Sequence, residues 1–246
     1  MKALILAAGY ATRLYPLTKE YPKPLLEINK RPLIDYILEK IEHLKDITEI
    51  IIVTNSKFIA KFRDWKKRVE IKKKLSIVND LTYSLDDRRG AIGDIAFVIE
   101  KKRIKDDLLV IGGDNLFDAD IKSFVSFAKN KKSTPVIGVY DIKDRTKTNK
   151  YGVIKLDNEN KIIDFKEKPK SAASTLVAMC FYYFPKNKLG AIKEYLNSQS
   201  NKRDATGFYI DWLRKREDIY GYIFTGNWYD IGDVKFYHEA KEKFIN

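Results

Sequence analysis

Ala3-Leu4-Ile5-Leu6-Ala7-Ala8-Gly9-Tyr10-Ala11-Thr12-Arg13-Leu14 is the stretch on which the reading of the fold turns. Ala3 to Leu6 is a short apolar run that empties into small residues and a glycine. A run of that length, bounded in that way, reads as a buried strand leaving into a loop. The opening also has the outline of a signal peptide. Its apolar part is short, however, and Arg13, Lys19 and Lys23 follow at once, so the strand reading is preferred.

The same signature recurs downstream. Ile50 to Val53, Leu75 to Val78 and Leu108 to Ile111 read as buried strands. Pro32 to Leu44, Phe58 to Trp65, Ile92 to Lys101 and Ile121 to Ala128 carry helical periodicity. Alternation of this kind predicts an α/β fold, a Rossmann-like, mainly parallel sheet flanked by helices, with ligands beyond the carboxyl ends of the strands. After about Lys131 the pattern changes. Thr134 to Tyr140, Tyr151 to Leu156, Lys161 to Phe165 and Thr175 to Phe184 are strand-like, and Asp157-Asn158-Glu159-Asn160 reads as a turn. Helices are expected over Lys186 to Leu196, Phe208 to Lys215 and Val234 to Phe244. The sheet is therefore mixed. No long linker, repeat or low-complexity segment interrupts the 246 residues. One domain over 1–246 is expected, with subregions 1–131 and 132–246.

Composition narrows the function classes. At 44% hydrophobic residues the chain can bury a sizeable core, and no apolar run is long enough to span a bilayer. Cys180 is the only cysteine, so no intrachain disulfide forms, and a cytoplasmic location is expected. The net charge is +13, yet the lysines are spread along the chain, with short clusters at Lys72 to Lys74 and Lys129 to Lys132. No nucleic-acid-binding motif accompanies them, so nucleic acid is not expected as the main partner. A positive field also suits a small, phosphate-rich substrate.

The first loop has the chemistry for such a substrate. Small residues let backbone N–H groups approach phosphate oxygens, and Arg13 can add a bidentate contact. In Pro22-Lys23-Pro24 two prolines restrict the backbone, which gives Lys23 a defined direction. The loop is not a P-loop, because no Gly-Lys-Ser/Thr follows, and it is not a G-x-G-x-x-G dinucleotide fingerprint. Taken one at a time, these features also fit a plain turn and a rigid surface bend.

Read in order, Leu6-Ala7-Ala8-Gly9-Tyr10-Ala11-Thr12-Arg13-Leu14-Tyr15-Pro16-Leu17-Thr18 and Pro22-Lys23-Pro24-Leu25-Leu26 resemble the opening signature of the sugar-phosphate nucleotidyltransferases. This family includes the glucose-1-phosphate thymidylyl-, uridylyl- and cytidylyltransferases. The resemblance implies that residues Leu6, Ala7, Ala8, Gly9, Tyr10, Ala11, Thr12 and Arg13 bind the nucleotide. It makes Arg13 and Lys23 the cations on the triphosphate, Arg13 at the departing pyrophosphate and Lys23 at the α-phosphate. Ala11 departs from the family's usual glycine and restricts positive φ there.

Two later segments resemble the family's metal-binding segments: Leu108 to Asn115, an apolar strand running into Gly112-Gly113-Asp114, and Trp228-Tyr229-Asp230-Ile231-Gly232-Asp233. The resemblance implies that Asp114 and Asp230 together hold Mg²⁺, an ion that takes one or two carboxylates plus phosphate oxygens and water. A Gly-Asp pair after a strand can also be a simple turn. Asp233 is read as the N-cap of the last helix rather than a ligand.

Asn79 to Ala91 occupies the place of the family's base-reading loop, with Gly90 as the carried-over residue. The glutamine common there in thymidylyl- and uridylyltransferases is not evident, so the base stays open. Tyr151-Gly152-Val153-Ile154 and Phe165-Lys166-Glu167-Lys168-Pro169 resemble the acceptor segments. By that analogy Gly152 offers backbone contacts, Glu167 accepts from sugar hydroxyls and Lys168 binds the acceptor phosphate. Tyr182 matches a tyrosine in a G-x-Y segment where Cys180 stands for the glycine. His43 and His238 are assigned no chemistry. The C-terminal β-helix of some relatives has no counterpart in this sequence, so an acetyltransferase activity is not expected. A homo-oligomer is left open.

The implied reaction is a single in-line displacement. A sugar 1-phosphate oxygen attacks the α-phosphorus of a nucleoside triphosphate (NTP) and pyrophosphate leaves. Three other readings stand beside it: a cytidylyltransferase acting on phosphocholine or another non-sugar phosphate, a glycosyltransferase using Asp118-Ala119-Asp120 as its metal motif, and a non-catalytic regulatory homologue.

Overall fold

The computed structural model describes residues 1–198 and 205–244. In chain order the elements begin with β1 (Lys2–Leu6), β2 (Glu27–Ile28), β3 (Arg31–Pro32), α1 (Leu33–Glu42), β4 (Glu49–Thr54), α2 (Ile59–Lys66) and β5 (Lys74–Asn79). Then come α3 (Gly90–Lys101), β6 (Leu108–Gly112), β7 (Asn115–Phe117), α4 (Ile121–Asn130), β8 (Val136–Asp141), β9 (Gly152–Leu156), β10 (Ile162–Glu167) and β11 (Leu176–Phe184). The last are α5 (Gly190–Ser198), α6 (Thr206–Arg214), β12 (Tyr220–Phe224), β13 (Trp228–Asp230) and α7 (Val234–Lys243). The helix expected from Lys186 is broken: Lys186–Lys188 is a 3-10 turn, and α5 starts only at Gly190. Among the described residues no helix is long and apolar enough to cross a membrane.

The chain forms two compact units, and neither is a continuous stretch. The first comprises 1–89, 111–120 and 226–246. In it β1 pairs with β4 and β4 with β5, all parallel, from Lys2↔Glu49 to Leu6↔Val53 and from Glu49↔Lys74 to Thr54↔Asn79. Every residue of β4 is buried, as a parallel strand covered on both faces requires. In α1 the buried residues are Leu33, Ile34, Tyr36, Ile37, Leu38 and Ile41, the stripe of an amphipathic helix. The C-terminal segment is held by apolar packing. Ile231, Tyr237, Ala240 and Phe244 share one cluster with Leu14, Leu26, Ile28, Leu33, Tyr36 and Leu116. Tyr237 OH also donates to Glu27 O at 2.8 Å.

The second unit comprises 90–110 and 121–225. Its strands are mixed: β8 is antiparallel to β11 and parallel to β12, and β9 is antiparallel to β10 and β11. The Phe124 ring of α4 meets Phe181, Tyr222 and Phe224 at centroid distances of 4.7, 5.7 and 5.5 Å. The β11–β8 register is irregular. Ala178 faces Val139 and Tyr182 faces Ile137, so β11 runs four residues where β8 runs two. Cys180 lies in that irregularity with φ 54°, a left-handed value that disfavours a side chain.

Candidate active site

The first loop leaves β1 tied down on both sides. Ala7 N–H donates to Val53 O at 2.9 Å, and Asn55 Nδ2 donates to Ala8 O at 2.8 Å. Ala11 takes φ 48°, ψ 42°, the left-handed conformation that its residue type restricts, and caps the 3-10 turn Thr12–Leu14. Thr18 Oγ1 donates to Ala11 O at 2.7 Å and holds the turn closed. Leu6, Ala7, Ala8, Gly9, Tyr10, Thr12 and Arg13 therefore form one short, braced arch, with Gly9, Thr12 and Arg13 exposed to solvent.

Lys23 opens a second 3-10 turn, Lys23–Leu25, whose Pro24 and Leu25 are buried. Its ammonium lies 2.7 Å from Asp114 Oδ2 and donates to Ile231 O at 2.7 Å. Asp114 follows β6 through Gly113, whose N–H donates to Leu6 O at 2.9 Å. A Cβ on Gly113 would stand 2.8 Å from that oxygen and 3.1 Å from Pro24 Cγ. Glycine thus lets the Asp114 turn lie directly on the end of β1. Asp230 arrives from the other end of the sequence on β13, which pairs antiparallel with β7 so that Asp230 faces Asn115. Trp228 Nε1 donates to Asn115 Oδ1 at 2.7 Å and locks this ribbon.

The electrostatics of the two acids diverge. Burial pushes the Asp114 carboxyl up, but Lys23 beside it, a backbone hydrogen bond and Arg13 together hold it below the usual carboxylate range. Asp230 is raised to about 6, first by burial and then by the charge of Asp114, against the opposing pull of Lys23 and Arg13. Arg13, Lys23, Asp114 and Asp230 thus act on one another within the first unit. Two carboxylates with no histidine or cysteine form a hard, oxygen-only donor set. That set suits a magnesium-class ion which completes its shell with phosphate oxygens and water.

Two neighbouring acids have structural duties. Asp233 caps α7, its carboxylate accepting from Phe236 N–H at 3.0 Å. Asp118, the first acid of the Asp-x-Asp pair, accepts from Asn227 N–H and Nδ2 at 2.8 and 2.7 Å and closes the β7–β13 ribbon.

The loop before Gly90 is internally organised. Asp80 is buried and accepts from Thr82 N–H at 2.8 Å, Asp87 accepts from Tyr83 and Ser84 N–H, and Arg89 Nε donates to Asp80 O at 2.7 Å. Tyr10 OH lies 3.4 Å from Thr82 Oγ1, linking this loop to the first one. Gly90 has φ 74° and starts α3.

In the second unit the four acceptor candidates gather in one place. Glu167 faces Gly152 in the β10–β9 register, and Lys168 Nζ lies 3.8 Å from Glu167 Oε1. The Glu167 side chain is only 10% exposed, and burial raises its carboxyl against the opposing pull of Lys168. Burial, Cys180 and the Glu167 charge raise the Tyr182 hydroxyl well above its ordinary value, and that hydroxyl lies 2.6 Å from Thr206 Oγ1. Thr206 and Gly207, at the start of α6, were not singled out by the sequence. A Cβ at Gly207 would collide with the Glu167 carboxylate and with the Phe165 ring. No local pattern marks such a glycine, because its need arises from a neighbour on another element.

Residues 2–246 match the family model described as nucleotidyl transferase. The chain belongs to the nucleotidyl transferase family. Among curated relatives, the bifunctional protein GlmU of Methanocaldococcus jannaschii is 32% identical over 232 residues, covering 94% of this chain and 51% of that protein. The glucose-1-phosphate adenylyltransferase of Fervidobacterium nodosum is 28% identical over 258 residues, covering 98% of this chain and 60% of that protein. The chain spans about half the length of the curated relatives it matches first. A solved structure of UDP-glucose pyrophosphorylase complexed with UDP-glucose aligns with a TM-score of 0.83 at 25% identity, covering 98% of this chain and 97% of that one. The mixed, mainly parallel α/β class read from the sequence is the fold of these transferases, and no β-helix occurs among the described residues.

Proposed function

We propose that this nucleotidyl transferase couples a nucleoside triphosphate to a sugar 1-phosphate and releases pyrophosphate, with Mg²⁺ as its cofactor. The observation that carries the reading is the meeting of Lys23, Asp114 and Asp230 at the end of the braced first loop. The relatives' names point the same way, since they include a glucose-1-phosphate adenylyltransferase and a UDP-glucose pyrophosphorylase. Those names imply different bases, so the base is left to experiment.

Residues Leu6 to Thr12 and Gly90 would hold the nucleotide. Arg13 would grip the pyrophosphate as it departs, and Lys23 would neutralise the α-phosphate, because phosphoryl chemistry depends on fixed positive charge. Asp114 and Asp230 would hold Mg²⁺, which when bound polarises the phosphate oxygens and offsets developing charge. Gly152, Glu167, Lys168 and Tyr182 would hold the acceptor. Glu167 would accept from sugar hydroxyls, and Lys168 would bind the acceptor phosphate. A phosphate monoester is already ionised near neutral pH, so no general base is needed, and positioning supplies much of the rate. In sequence order 1–131 carries most of the nucleotide side and 132–246 the acceptor side, within one domain of the cytoplasm.

The test is a pyrophosphate-release screen of the common nucleotides against phosphorylated acceptors, with and without Mg²⁺. Release that needs both an NTP and a sugar 1-phosphate supports the reading. Release with phosphocholine alone moves the acceptor assignment, and no release with any pair removes the activity.

A further inference from the structure

We infer that Lys23 is an internal counter-ion that closes the divalent-metal site until a nucleotide arrives, so that metal and triphosphate enter as one complex. This rests on the metal and nucleotide assignments proposed above.

The Lys23 ammonium is held by two acceptors at once, Asp114 Oδ2 and Ile231 O, each at 2.7 Å. Ile231 is fully buried and directly follows Asp230, so the ammonium bridges the two segments that carry the acids. The Lys23 side chain is only 14% exposed. Its turn is anchored by Leu25 N–H to Pro22 O and Leu26 N–H to Lys23 O, both 3.0 Å. One carboxylate of the pair is therefore already neutralised at contact distance. A bare divalent ion reaching Asp114 would meet the Lys23 charge at contact distance from the same carboxylate, and the two positive charges repel.

A triphosphate changes the balance. It brings several negative oxygens, and the lysine carries its charge on a flexible four-carbon stem with three donors. Lys23 can then turn from Asp114 to a phosphate oxygen, leaving Asp114 to the metal that the nucleotide carries. The fold thus admits the metal–nucleotide complex and discriminates against free metal.

The experiment uses Mn²⁺ as the probe, with free ion read by electron paramagnetic resonance on the full chain, with and without a non-hydrolysable NTP analogue. Wild type should bind Mn²⁺ weakly alone and far more tightly with the analogue. K23Q and K23M should bind Mn²⁺ at least tenfold more tightly than wild type without nucleotide, and D114N should abolish the gain in the K23Q background. K23R, which keeps the charge, should remain as weak as wild type and serves if the neutral variants do not fold. Neutral variants that gain nothing, or a K23R protein that gains as much as they do, would overturn the inference. Wild type that binds no Mn²⁺ even with the analogue would instead remove the metal assignment itself.

Discussion

Asp230 faces Asn115 across the β7–β13 ribbon, and Asn115 is the residue immediately after Asp114. This one register brings together two acids from distant parts of the chain. The Trp228 Nε1 to Asn115 Oδ1 hydrogen bond of 2.7 Å holds it. Trp228→Phe keeps the ring and removes that bond, which costs about 0.5–1.5 kcal/mol of stability. Nucleotide-supported Mn²⁺ binding should weaken in the same variant, although neither aspartate is touched. Unchanged Mn²⁺ affinity would mean that the register does not depend on this bond.

The two acids give opposite pH signatures. Asp230 is raised to about 6, so the folded chain binds its proton more tightly than the unfolded chain does. Its burial as an anion therefore destabilises the metal-free fold progressively as pH rises from about 4 to about 6, and fully above that. Asp114 is depressed and behaves the other way, adding stability above its unfolded value that is lost as pH falls through its folded value. Asp230→Asn should be more stable than wild type at neutral pH in chelator, with the difference vanishing toward pH 4. Urea unfolding between pH 4.5 and 7.5 measures this, and a difference that does not change with pH would contradict it.

Gly207→Ala places a methyl group against the Glu167 carboxylate and the Phe165 ring. Glu167 must then move. The expected outcome is a KM for the sugar 1-phosphate raised by about tenfold or more, with the KM for the nucleotide unchanged. Steady-state kinetics with each substrate varied in turn checks the split. An equal rise in both constants would point to general damage rather than to an acceptor site at Glu167.

Cys180 holds φ 54° in the irregular part of β11. A left-handed backbone costs a non-glycine residue roughly 1–2 kcal/mol. Cys180→Gly removes that cost while giving up a weak thiol contact to Tyr182. A net gain of about 1 kcal/mol, or roughly 2–4 °C in Tm for a chain of this size, is expected by thermal unfolding. A fall in Tm would show that the thiol's packing outweighs the backbone strain.

Features encoded locally were legible in the sequence. The apolar runs of β1, β4 and β6 are continuous because those strands are buried. Asp233 was readable as an N-cap because capping needs only the three residues that follow it. What stayed hidden is long-range or backbone-borne. Strands β7 and β13 have three residues each, too few for periodicity, and their pairing joins segments far apart in sequence. The Ile231 carbonyl that receives Lys23 has no side-chain signal at all. The segment 226–246 belongs to the same compact unit as 1–89, which a cut at residue 131 along the chain does not reveal. The crowding of Gly207 against Glu167 likewise depends on where α6 is packed.

The most direct measurement is the product balance of one reaction. A nucleoside triphosphate labelled at the α-phosphate is incubated with Mg²⁺, the enzyme and a sugar 1-phosphate. The account predicts that the label passes into a nucleoside diphosphate sugar while pyrophosphate appears mole for mole, and that neither forms when the acceptor or Mg²⁺ is withheld. Label released as free nucleoside monophosphate without regard to acceptor, or orthophosphate in place of pyrophosphate, would contradict it.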